Sequence, residues 1–181
     1  VDTALSEMFR LNFKENMRGH YNTFRLFAVN DEAGAIICEW DKDAKKPAIP
    51  IPYAQESMHG FEYAFAGLLM SRGFVDEGLR VVKGVRDRYR GFNRNPWNEI
   101  ECGSNYARSM ASYSLLNAAC GFEYDMYEKF LGFTHVKEFE VNGVFRCFVC
   151  MEKGYGFVEV GPDYLQFKLL RGEGFKLRKI R

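Results

Sequence analysis

The stretch Asn95 to Met110, NPWNEIECGSNYARSM, gathers three features in sixteen residues: acids at Glu99 and Glu101, a Gly-Ser-Asn turn, and Arg108. Pro96 forces Asn95 away from helical angles, so Glu99 is predicted on a loop. Ser104 is a good N-cap, and the spacing of Met110, Tyr113, Leu116 and Ala119 predicts a helix that stops at Gly121. Arg108 then falls in the first turns of that helix. A cation there opposes the helix dipole and needs a reason. One account is structural: Glu99 or Glu101 complements the helix start and Arg108 pairs with one of them. The other is a polar ligand, because a carboxylate accepts from paired hydroxyls while a guanidinium fork donates to them, which fixes a sugar.

Upstream, residues 57 to 121 read as helical. Phe61, Ala64, Phe65, Leu68 and Leu69 mark one stripe, and Leu79, Val82, Val85 and Tyr89 a second, with Gly73 and Gly91 as stops. Residues 1 to 55 form an extended lead-in: TFRLFAVNDEAGAIICEW reads as two strands joined through NDEAG, and the prolines of KKPAIPIPY exclude helix. Beyond residue 132 the chain turns to strands. KEFEVNGVFRCFVCME carries an Asn-Gly hairpin turn, followed by YGFVEV, YLQFKLL and GFKLRKI.

With 181 residues, 47% hydrophobic and 16% aromatic, the chain can bury a real core. Lys and Arg total 25 against 24 acids, a net charge of +1, which supplies no basic footprint for nucleic acid. In the basic end KLLRGEGFKLRKIR, Lys and Arg alternate with apolar residues at strand spacing, the pattern of a solvated sheet face. No apolar run is long enough for a transmembrane segment, and VDTALSEMFR has neither the apolar core nor the small-residue cleavage site expected of a signal peptide. Five cysteines without a framework read as reduced packing thiols, consistent with a cytoplasmic protein. Cys147 and Cys150 lie three apart on a strand and so face opposite ways. His20, His59 and His135 have no ligand spacing, so no metal or other cofactor is expected. Glu56 reads as a helix cap or a sugar contact, Trp97 as a core plug or a stacking ring, and Tyr106 and Tyr113 as core.

The segment VVKGVRDRYRGFNRNPWNEIECGSNYARSMASYSLL resembles the final block of the glycoside hydrolase family 116 catalytic region, that of the non-lysosomal glucosylceramidases and bacterial β-glucosidases. PYAQESMHGFEYAFAGLL resembles the family's Glu-x-x-Thr-Gly helix start, and the likeness spans residues 50 to 133. Met58 replaces a common Trp, and Ser104-Asn105 an Asp-His pair. The resemblance implies an α+β chain: the C-terminal part of an (α/α)6 toroid over residues 1–131, followed by an antiparallel β appendage at 132–181. It also implies that Glu99 and Arg108 bind hydroxyls of a β-linked glycoside, with Glu101 and Cys102 as scaffold.

The family hydrolyses with retention, using a nucleophilic Glu and an acid/base Asp about 5 Å apart. Neither has a counterpart here: YNTFRLFAVND echoes the acid/base motif, but Phe24-Arg25 stands where Tyr-Asp is required. No catalytic residue is therefore assigned. The expectation is a fragment of a retaining exo-β-glycosidase, inactive alone, whose partner is the missing N-terminal part of the same protein. The alternative is a stand-alone, non-catalytic carbohydrate-binding or interaction module. Apolar faces at Phe61, Phe65 and Leu69 are expected to lack partners.

Overall fold

The computed structural model describes residues 1–96, 98, 108–125, 127–174 and 178–180. Among them are four α-helices and eight strands in three sheets, and no ring of paired helices. This corrects the expectation that residues 1–131 form the C-terminal part of an (α/α)6 toroid. Helical stripes are the same in any layered packing, and here they serve one helix pair and its neighbours rather than a closed ring. The chain divides into two units, Val1–Leu115 and Leu116–Arg181.

In the first unit, helix α1 (Asp2–Asn12) leads into strand β1 (Phe13–Lys14), which pairs antiparallel with β2 (Gly34–Ala35). Sequence reading placed no helix at the start. It also expected a hairpin over residues 23 to 40; that segment instead contributes only β2, after a turn in which Asn30 takes a positive φ of 54°. Helices α2 (His59–Ser71) and α3 (Val75–Arg88) fold back on each other through Gly73, at φ 85°. Leu5, Ala35, Ala66, Leu69 and Val81 form the core between these elements.

Only part of the expected apolar stripe of α2 is buried, with Leu69 in the core and Phe65 packed on it. Ala66, Gly67, Met70 and the polar His59 and Glu62 are buried, whereas Phe61 and Leu68 are 52% and 47% exposed. Leu69 is fully buried against α1 and α3. The buried side also carries charge: Glu62 meets Arg88 on α3. On α3 likewise, Val81, Val85 and Arg88 are buried, and Leu79 is 39% exposed.

The second unit begins within helix α4 (Tyr113–Cys120), which ends at Gly121 with φ 55° as predicted. Tyr113 is 73% exposed, not core, and Tyr106 lies outside the described residues. Strands β3 (Phe122–Asp125) and β4 (Phe130–Phe133) form an antiparallel hairpin, with β8 (Lys179–Ile180) parallel to β4. Strands β5 (Phe145–Met151), β6 (Gly154–Val160) and β7 (Leu165–Gly172) form an antiparallel meander. The Asn142-Gly143 turn before β5 has positive φ at both residues, the requirement of a type I′ hairpin. Phe145, Cys147, Val149 and Val158 alternate inward onto Cys120, Leu131 and Phe133, while Cys150 faces out. A hydrogen bond between the two buried thiols lowers Cys120 to about 7 and raises Cys147.

Among the described residues no helix is long and apolar enough to cross a membrane.

Candidate functional site

The site grows from the lead-in to α2. After the prolines of residues 47 to 52 the chain turns at 52–55, and residues 54–56 bond back to the segment after β2: Ile37 N–H donates to Glu56 O at 3.2 Å and Cys38 N–H to Ala54 O at 2.6 Å. Met58, the N-cap of α2, is extended and 2% exposed.

Around this start lies a buried polar cluster: Glu56, Ser57, His59, Glu62 and Arg88 are each no more than 5% exposed. A buried charge is tolerated only when paired and hydrogen-bonded. Glu62 accepts from Ala35 N–H at 2.7 Å and from the guanidinium of Arg88, which also donates to Ala33 O. Ser57 Oγ donates to Ala35 O at 3.2 Å. Gly34 permits this closure, because a Cβ there would meet Arg88, Ser57 and Glu62 at 2.5, 2.9 and 3.0 Å. Burial pushes the Glu62 carboxyl up, against the pull of Arg88 and the Ala35 N–H. Glu56 accepts a fork from Arg25, Nε at 3.2 Å and Nη2 at 2.9 Å, and the Arg25 guanidinium packs over Phe27 and Tyr53. Glu56 is thus an ion-pair partner and not a cap, since no side chain caps α2.

His59 stands edge-on to Tyr89, ring centres 4.5 Å apart, with Tyr63 at 6.3 Å. Burial, with the Arg88 and Arg108 cations nearby, holds its imidazole down at about 4, so it is neutral at pH 7.

Arg108 opens the 3₁₀ turn Arg108–Ser112, which packs on α2. Its Nη1 lies 3.7 Å from the Met58 sulfur and its guanidinium carbon 5.4 Å from the Phe61 ring centre. Gly60 makes the seat, since a Cβ at that position would collide with the Arg108 stem. The two sequence blocks, around residues 58 and 108, therefore meet at Arg108. Glu99, the other predicted sugar ligand, lies outside the described residues, as do Glu101, Cys102 and Trp97.

Sequence reading missed the roles of Arg25, His59, Glu62 and Arg88. Glu62 three residues after His59 was the available signal, because that spacing puts both on one helix face. Their partners are set by α3 and the residue 25 loop, which no local pattern reveals. No protein-family model matches the chain, and the search of curated proteins gives no match.

Proposed function

We propose that this chain supplies the glycon-binding wall of a retaining exo-β-glycosidase, with Glu99 and Arg108 holding hydroxyls at the non-reducing end of a β-linked glucosyl group. The nucleophile and acid/base carboxylates come from outside these 181 residues. The observation that supports this reading is the seat of Arg108, a guanidinium beside a thioether and an aromatic ring at the start of α2. Donors next to an apolar wall match a pyranose, which has hydroxyl edges and a C–H face.

A second reading, a carbohydrate-binding module without hydrolysis, is favoured by one observation: both buried carboxylates of the cluster are held by arginines. Neither is then available as the proton donor or nucleophile that hydrolysis requires. Titration of the protein with methyl β-glucoside, followed by NMR, tests the shared part of both readings. Binding is expected for the parent chain and is lost in Arg108→Ala. Unchanged binding in that variant refutes the assignment of Arg108. Release of nitrophenol from an aryl β-glucoside by this chain alone refutes the placing of the chemistry elsewhere, and restoration of hydrolysis by an added upstream polypeptide favours the first reading.

A further inference from the structure

The outer face of the β5–β6–β7 sheet joins Lys168, at the start of the basic end read as a solvated sheet face, to residues of β5 and β6. Strand register sets two rows across it. Arg146 lies opposite Glu159 and Glu159 opposite Gln166; Phe148 lies opposite Phe157 and Phe157 opposite Lys168. A register slip between Tyr155 and Gly156 curls the sheet, and Gly156 is required there because a Cβ would collide with the Lys168 carbonyl. Arg146, Phe157, Glu159, Gln166, Lys168 and Leu170 line a concavity of about 550 Å³. Phe148 and Phe157 remain 42% and 37% exposed at the middle of a sheet face, where apolar rings are costly unless something covers them.

We propose that this concavity binds an anionic saccharide, one uronate-type residue laid with its C–H face on Phe157 and its carboxylate toward Lys168 and Arg146. Charge sets the sign of the ligand. Both Glu159 oxygens are already engaged, one by Arg146 and the other by the Tyr164 hydroxyl at 2.8 Å. Among the described residues Lys168 makes no ion pair, so the uncompensated charge in the concavity is positive. Ring geometry argues against a nucleic acid strand. Phe148 lies at 45° to Tyr155 and 74° to Phe157, so no two rings offer the parallel platforms on which successive bases stack. A single sugar face needs only one ring, flanked by donors, and the volume suits a ligand of that size.

The site is built from residues of the second unit, and its test uses the whole chain. Calorimetric titration compares trigalacturonate, neutral cellotriose and an oligouridylate. Trigalacturonate is expected to bind at least about tenfold more tightly than cellotriose, weakening as salt rises. Phe157→Ala and Lys168→Ala should each weaken it about tenfold with unchanged melting, since both side chains face solvent. Arg108→Ala should leave it intact. Absence of trigalacturonate binding, equal binding of cellotriose, tighter binding of oligouridylate, or indifference to Phe157→Ala each overturns the proposal.

Discussion

Protonating His59 would place a third cation beside Arg88 and Arg108 in a site where the imidazole is 2% exposed. Among the described residues the rings packed on it, Tyr63 and Tyr89, are uncharged, and Glu62 is committed to Arg88. The folded protein therefore holds His59 at about 4 instead of 6.5, whereas the unfolded chain protonates it normally. Because the folded value is depressed, the stabilisation is complete above the unfolded value and is lost as pH falls toward the folded one. At about 1.4 kcal/mol for each tenfold, the loss across that window is about 3 kcal/mol. Surface acids such as Asp2, Asp31 and Asp41, held low by arginines, lose their stabilisation at lower pH and would blur a simple acid titration. The measurement is therefore a difference. Urea unfolding of the parent protein and of His59→Phe, which keeps a ring against Tyr89, is compared from pH about 7.5 to about 4. The parent is expected to lose about 3 kcal/mol more than the variant, while terms common to both cancel. A difference between the two proteins that stays flat across the window would refute the buried, neutral His59 between two guanidinium groups.

Other outcomes concern the buried ion pair and the proposed sugar contacts. Glu62→Met or Arg88→Met alone should cost about 3 to 5 kcal/mol in urea unfolding, because each leaves its partner charged and buried, and the double variant should recover most of it. Gly60→Ala should abolish methyl β-glucoside binding by displacing the Arg108 stem, yet change the unfolding free energy by no more than about 1 to 3 kcal/mol. In the glycosidase proposed above, Glu99→Gln and Arg108→Ala are each expected to lower kcat/KM for β-glucosides by about 2 to 4 kcal/mol with the fold preserved. Substrates lacking the 4- or 6-hydroxyl should lose less rate in these variants than in the parent, and independent additivity would mean that the two residues do not touch those hydroxyls.

Much of the local structure was legible in the residues themselves. Gly73, Gly91 and Gly121 were read as helix stops, and all three adopt the positive φ that makes glycine suited to that place. The Asn142-Gly143 turn, and the outward Cys150 against the inward Cys147, followed from turn chemistry and strand alternation. These features depend on neighbours within a few residues, so the sequence by itself determined them.

The face that α2 buries, the missing ring and the composition of the site were decided by tertiary structure. Phe61, Ala64, Phe65, Leu68 and Leu69 form the apolar stripe of α2, yet only part of it is buried, and Glu62 points inward to Arg88, 26 residues away in sequence and against it in space. A carboxylate reads as a surface residue until the guanidinium that compensates its burial is known. Arg108 shows the same limit. Its position in the sequence marked it as a cation in need of a partner, but its seat against Met58, Gly60 and Phe61 exists only because a 3₁₀ turn packs on a helix some fifty residues earlier in the chain. Periodicity specifies that a helix has an inside. Which side that becomes depends on the charges and glycines of segments that meet it only after folding.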